Sequence, residues 1–314
     1  MSDVGILKLG TRDSVLALWQ ANFIKGLLES KGIKVELRAI KTKGDKILDV
    51  PLHKIGGKGL FTKELENELL SGEIDFAVHS LKDVPVEIPQ GLSLASITKR
   101  HDDSDSFLSF KYKDISALPI NAKVGTTSLR RTTQLKMLRS DINSLSLRGN
   151  VQTRLRKLES GEFDAIILAS AAIDRLELRD KIPYITKLDF IPAMGQGALG
   201  IECRSPSLPR DEAIHSLLHS LSDENSSLCC SLERRFIKGL NGGCQVPIGV
   251  HVTLKEPSSL LHFKAIMSDL ECSKIIQKEL SFKKDEALEA VDSIVAYFIE
   301  NGASDILESI SKSL

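Results

Sequence analysis

A short phrase occurs twice in this chain, as Ser71-Gly72-Glu73-Ile74-Asp75 and as Ser160-Gly161-Glu162-Phe163-Asp164. Each copy ends a segment with helical spacing, Thr62 to Leu70 and Val151 to Leu158. Each then opens an apolar, β-favouring run, Ile74 to Val78 and Ala165 to Ala169. Equivalent helix-to-strand corners predict two similar α/β lobes, and two such lobes facing each other would form a ligand cleft. The start of the chain agrees with this. Ile6 to Gly10 reads as a strand, Thr11-Arg12-Asp13-Ser14 as a turn, and Leu16, Trp19, Phe23 and Leu27 have the spacing of a helix that stops before Gly32. Val35 to Ile40 is the next strand, which completes a βαβ opening.

The run Ile74 to Val78 leads straight into His79-Ser80-Leu81-Lys82-Asp83-Val84-Pro85, and Pro85 with Pro89 ends regular structure. Lys82 and Asp83 therefore sit just past the carboxyl end of a buried strand, the edge where open α/β sheets bind ligands. Alone, the pair reads as a solvated ion pair in a loop, but the arginines weigh against that. Arg12, Arg130, Arg131, Arg148, Arg154 and Arg175 all fall just after predicted strands or in the following turn. Arginine suits bidentate binding of carboxylate or phosphate, so the expected ligand carries several anionic groups. Arg130 and Arg131 follow Gly125-Thr126-Thr127-Ser128 in a first helical turn, where cations oppose the helix dipole. An anion held between them would remove that conflict. Residues 42–60 lack either period and hold four glycines and several lysines, which reads as a flexible cationic lid. The phosphate-loop spacing GxxxxGK[ST] is absent from it.

The 314 residues with 42% hydrophobic content suit two or three domains. Lys plus Arg equals Asp plus Glu at 42 each, against the basic balance of a general nucleic-acid binder. No apolar run approaches the roughly 18 residues of a membrane span, and Met1-Ser2-Asp3-Val4-Gly5 does not open a signal peptide, so a soluble, cytoplasmic protein is expected. The expected division is 1–99 with 195–220 as one α/β lobe, 100–194 as a second, and 221–314 as a small α+β domain. In that third region a helix gives way to Asn241-Gly242-Gly243-Cys244-Gln245-Val246-Pro247, then three strands and two helices. The five cysteines form no CxxC pair, which speaks against a zinc site or a disulfide scaffold. Cys203, Cys229, Cys230 and Cys272 read as buried thiols, whereas Cys244 follows two glycines in a loop that leaves its sulfur room for attachment.

Taken together and in order, these motifs resemble the porphobilinogen deaminase family, also called hydroxymethylbilane synthase. The resemblance rests on Thr11-Arg12-Asp13-Ser14 with Leu16-Ala17-Leu18-Trp19-Gln20, on Gly56-Gly57-Lys58-Gly59-Leu60-Phe61, and on Ala77 to Pro85. It continues through Gly125 to Arg131, Leu147-Arg148-Gly149-Asn150, Gly195-Gln196-Gly197 and Gly242 to Pro247. It implies two periplasmic-binding-protein-like α/β lobes, a C-terminal α+β domain, and a monomeric transferase of heme and porphyrin biosynthesis that needs no metal. Cys244 is implied as the thioether anchor of a dipyrromethane cofactor, and Asp83 as the catalytic carboxylate. Binding of the cofactor falls to Arg12, Ser14, Lys82, Asp83, Ser128, Arg130, Arg131, Arg148 and Gly149, with Asp83 facing its pyrrole N–H groups and the cations its acidic groups. The porphobilinogen substrate and growing polypyrrole chain fall to Arg12, Gln20, Lys54, Lys58, Phe61, Arg148, Arg154 and Arg175. The implied chemistry joins four porphobilinogens with loss of ammonia and releases linear hydroxymethylbilane. Nearby Lys and Arg favour the charged form of Asp83. Asp13, an acid between two implied ligand-binding residues, and Thr127, where Ser is commoner, are mild departures. The alternative from another class is a non-catalytic two-lobed anion-binding protein, in which Cys244 has no purpose.

Overall fold

The computed structural model describes residues 4–42, 44, 59–242, 246–255 and 260–313. They form two compact units, one from the described residues of 1–48, 57–101 and 197–227, the other from 102–196 and 228–314. In the first, β1 (Leu7–Arg12) pairs in parallel with β2 (Val35–Ile40) and β3 (Phe76–Ser80), and α1 (Val15–Glu29) makes the crossover from β1 to β2. β10 (Leu199–Arg204) lies antiparallel between β3 and β4 (Leu92–Ile97), giving the order β2-β1-β3-β10-β4.

The second unit repeats this plan. β6 (Lys123–Gly125) pairs in parallel with β7 (Asn143–Leu145) and β8 (Ala165–Ala169). β5 (Asp105–Ser109) lies antiparallel between β8 and β9 (Tyr184–Leu188), and the order is β7-β6-β8-β5-β9.

The repeated phrase has a physical basis in both sheets. It follows α2 (Lys63–Leu70) in one unit and α4 (Val151–Glu159) in the other, where Gly72 and Gly161 adopt φ of 76° and 78°. Only glycine takes that left-handed conformation at no steric cost. Asp75 then accepts the Lys8 N–H at 2.8 Å through Oδ2 and donates its own N–H to the Lys8 carbonyl at 2.8 Å. Asp164 makes the same two bonds to Lys123, at 2.8 and 2.9 Å. The aspartate thus latches each incoming strand to its parallel neighbour, β3 to β1 and β8 to β6.

One face of the first sheet packs Leu7, Leu9, Phe76, Val78 and Ile201 against Ala21, Ile24 and Leu28 of α1 and Ile214 and Leu218 of α6 (Pro209–His219). Burying each such side chain stabilises the fold by about 1.5–3 kcal/mol. The helical spacing read for α1 holds, but three of the residues that carry it face outward. Trp19, Phe23 and Leu27 are exposed, and the Trp19 and Phe23 rings stack at 5.5 Å. The buried side of the helix is Ala17, Gln20, Ala21, Ile24 and Leu28, at the same helical spacing but on the other stripe.

Downstream, α7 (Glu224–Gly239) leads to an antiparallel sheet of β11 (Ile248–Lys255), β12 (Leu260–Ser268) and β13 (Ile275–Lys283). Helices α8 (Ala287–Glu300) and α9 (Ala303–Ser313) close the chain. Phe236, Phe263 and Phe298 form the centre of this small α+β module, with centroids 5.3 and 5.0 Å from Phe236 in edge-on contact. The expected class, two α/β lobes with a small α+β domain, is the one observed. Among the described residues no helix is long and apolar enough to cross a membrane.

Candidate active site

The carboxyl ends of the parallel strands carry most of the residues singled out from the sequence. In the first unit β3 runs into a single 3-10 turn, Leu81–Asp83, closed by Val84 N–H donating to the Leu81 carbonyl at 3.1 Å. Leu81 is fully buried and holds the turn down, while Lys82 and Asp83 are half-buried at its top. Leu81 N–H also donates to the Ala198 carbonyl at 3.0 Å, so the turn is pinned at both ends. Arg12, the last residue of β1, places its guanidinium 4.4 Å from the centroid of the Phe61 ring, a cation–π contact.

Two residues expected to bind ligand have local tasks here. Ser14 is the N-cap of α1 and accepts the Ala17 N–H at 3.3 Å. Gln20 is buried and donates through Nε2 to Ser80 Oγ at 2.8 Å, which fixes α1 to the end of β3 beside the Lys82–Asp83 turn.

In the second unit Ser128 caps α3 (Leu129–Leu138), and Arg130 and Arg131 follow in its first turn. The anion that resolves their conflict with the helix dipole comes from the chain itself. Asp105, at the start of β5 and fully buried, accepts Arg130 Nη1 at 2.7 Å on Oδ2. Its Oδ1 accepts Arg131 Nε at 2.9 Å and Nη2 at 2.7 Å. Gln196 Nε2 donates to Oδ1 at 3.0 Å. Burial alone would raise the Asp105 carboxyl, but the charges of Arg130 and then Arg131 outweigh it and hold it well below the usual carboxylate range.

Two arginines against one aspartate leave one positive charge uncompensated within this buried group. Arg130 Nε is buried and without a hydrogen-bond partner. A buried guanidinium with an unused donor fits an anionic ligand group, so these residues suit a carboxylate-bearing cofactor.

The other arginines singled out in this unit sit near the ends of β7 and β8. Arg148 is half-buried after β7, and burial pushes its guanidinium below the usual value. Gly149 adopts φ of 107°, and a Cβ there would meet Thr153 at 2.7 Å. Its carbonyl accepts Arg154 Nε at 2.8 Å, and Asn150 caps α4. Arg175 ends α5 (Ser170–Arg175), and burial, opposed by Asp174, pushes it down to about 10. Cys244, Lys54 and Lys58 lie outside the described residues.

Sequence reasoning gave no role to Asp105, to the Gln196 amide, or to a buried group of His79, Glu66 and Glu202. Asp105 closes the polar run Lys99-Arg100-His101-Asp102-Asp103-Ser104-Asp105, after which the second lobe is expected to open. A lone acid in the apolar run Ala198-Leu199-Gly200-Ile201-Glu202 was the available signal for the other group.

Residues 7–213 match the family model described as porphobilinogen deaminase, dipyromethane cofactor binding domain, and residues 227–299 match the porphobilinogen deaminase C-terminal domain. The chain belongs to the porphobilinogen deaminase family. The porphobilinogen deaminase of Helicobacter acinonychis is 52% identical over 310 residues, covering 98% of this chain and 99% of its own. That of Campylobacter concisus is 51% identical over 307 residues, covering 96% and 97%. Among solved structures, the BvgS periplasmic VFT2 domain of Bordetella pertussis is similar with a TM-score of 0.43 and 14% identity, over 72% of this chain and 92% of its own. A Salmonella typhimurium periplasmic binding protein gives 0.38 and 13%, over 71% and 93%.

Proposed function

We propose that this chain is a hydroxymethylbilane synthase, a cytoplasmic transferase that works as a monomer. It joins four porphobilinogen molecules head to tail with loss of ammonia and releases the linear product by hydrolysis. The single observation that carries this reading is Asp83, half-buried on a pinned turn at the carboxyl end of β3, in a chain that matches this family along most of its length.

When bound through a thioether to Cys244, the dipyrromethane supplies the pyrrole α-carbon to which the first substrate is joined. Ser128, Arg130, Arg131, Arg148 and the Gly149 backbone would hold its acetate and propionate groups in the second unit, with Arg12, Ser14 and Lys82 serving them in the first. Arg130 brings the unpartnered Nε noted above.

Asp83 has the central task. Its carboxylate accepts pyrrole N–H groups, which orients the incoming ring. As the aminomethyl C–N bond of porphobilinogen breaks and ammonia leaves, positive charge develops on the methylene carbon and pyrrole nitrogen. A fixed carboxylate beside that charge stabilises it without having to reorganise. The same group can take up the proton released when the ring α-carbon forms its new bond. Arg12, Gln20, Lys54, Lys58, Phe61, Arg148, Arg154 and Arg175 are assigned to the substrate and the growing chain, each added ring bringing two more carboxylates. Gln20 acts there through Ser80, and Phe61 through the Arg12 guanidinium stacked on its ring.

Asp83→Ala should keep the fold, because only the tip of a half-buried side chain is lost, and should lose nearly all turnover of porphobilinogen. Near-normal turnover in that variant removes Asp83 from the mechanism.

A further inference from the structure

Behind the strand that leads to Asp83, the first unit buries three ionisable side chains. His79 is 5% exposed, Glu66 7% and Glu202 0%. His79 Nε2 lies 3.1 Å from Glu202 Oε2. In the β3–β10 ladder His79 pairs with Gly200 and Ala77 with Glu202, so the two side chains are diagonal neighbours on one sheet face. Glu66 reaches them from α2, and its Oε1 accepts the Thr62 hydroxyl at 2.6 Å. Burial raises the Glu66 carboxyl. The Thr62 hydrogen bond opposes that, Glu202 adds to it, and His79 and Lys63 oppose it. Glu202 Oε1 is buried with no hydrogen-bond partner among the described residues.

Two buried carboxylates beside one imidazole cannot both ionise cheaply, because one imidazolium matches only one of them, Lys63 is exposed, and the like charges repel across a poorly hydrated space. A dyad that retains one proton carries one negative charge, which a single imidazolium matches. Glu202 is the member hydrogen-bonded to His79. Glu66 has a neutral hydroxyl partner in place of a cation, so it is the member that keeps the proton at least cost.

We propose that Glu66 and Glu202 keep one proton between them, resident on Glu66, and that the resulting Glu202–His79 ion pair positions the turn that carries Asp83. His79 is followed by Ser80, which is tied to Gln20, and then by Leu81, whose N–H starts the turn on Ala198. At its other end the cluster reaches Thr62, the neighbour of Phe61, whose ring lies against Arg12. The three are positioning residues, since none is placed against substrate. Their effect on turnover rests on the deaminase reading of Asp83. The location of the proton does not.

The test uses the full chain with its cofactor attached. The wild-type infrared spectrum at neutral pH should show the C=O stretch of a protonated carboxyl, and Glu66→Gln should lack it. Glu66→Gln keeps the shape and neutrality of the protonated acid, so kcat should stay within about twofold. Its urea midpoint, relative to wild type, should rise with pH. A raised carboxyl gives wild type stability that is complete below the unfolded value and is lost as pH climbs through the folded one, a loss glutamine cannot suffer.

Glu202→Gln and His79→Gln should each lower kcat by about tenfold or more with little change in KM, the mark of displaced rather than missing substrate contacts. The double variant should recover part of that loss, because two neutral amides can hydrogen-bond. Absence of the protonated-carboxyl band in wild type, or a Glu66→Gln midpoint that falls relative to wild type as pH rises, overturns the proton assignment even where the other variants do not fold. Wild-type kcat in folded Glu202→Gln overturns the positioning role. Failure of the wild-type chain to turn over porphobilinogen refutes the deaminase reading instead and leaves the infrared result intact.

Discussion

Replacing Asp105 by asparagine removes the one anion that two buried arginines share. Arg130 and Arg131 are 4% and 6% exposed and give Asp105 three hydrogen bonds of 2.7–2.9 Å. Asparagine presents one oxygen and an amide donor, so at least one guanidinium faces an N–H where it had a carboxylate. Removing one partner of a buried ion pair costs about 3–5 kcal/mol, most of it the desolvation of the charge left behind. Chemical unfolding should show this as a urea midpoint lower by about 1–2 M for an ordinary dependence on denaturant.

The pH dependence of Asp105 has a definite sign. Its folded carboxyl is held below its unfolded value, so its contribution is present above the unfolded value and is lost as pH falls through the folded one. The gap between wild type and Asp105→Asn should therefore stay nearly constant down to about pH 4, the unfolded value of an aspartate. A variant within about 1 kcal/mol of wild type at neutral pH would refute the claim that this carboxylate compensates the arginines.

Gly249→Ala should destabilise the C-terminal module, because the added Cβ would lie 2.7 Å from the Ile191 carbonyl oxygen and backbone cannot swing aside. Overpacking of this kind costs about 1–3 kcal/mol, measurable by the same unfolding assay. Phe61→Leu removes the ring under Arg12 at little cost to global stability, since a cation–π contact near the surface is worth about 0.5–1 kcal/mol. Steady-state kinetics should show a higher KM for porphobilinogen with the urea midpoint nearly unchanged, and an unaltered KM would take Phe61 out of the substrate site.

Local rules carried far in this chain because its corners repeat. A glycine that must take positive φ and an aspartate that must latch a strand are both readable in Ser-Gly-Glu-x-Asp, and they fix the parallel part of each sheet. The antiparallel strands β5 and β10 were not legible, since each is set beside its partners by chain distant in sequence. For the same reason Asp105 read as part of a polar connection, although it sits fully buried between two arginines 25 and 26 residues away. In α1 the helical spacing of Leu16, Trp19, Phe23 and Leu27 marks the helix but not its buried face, which is Ala17, Gln20, Ala21, Ile24 and Leu28. Periodicity identifies a helix, but how closely it approaches its sheet decides which side chains fit beneath it.

The proposed function has this chain build tetrapyrrole precursors on a group attached to its own Cys244. Intact-mass measurement of purified, active protein tests that attachment most directly. The expected mass exceeds that of the sequence by one covalently bound dipyrrole, and Cys244→Ser should show the bare sequence mass. Active wild-type protein at the bare sequence mass would contradict it.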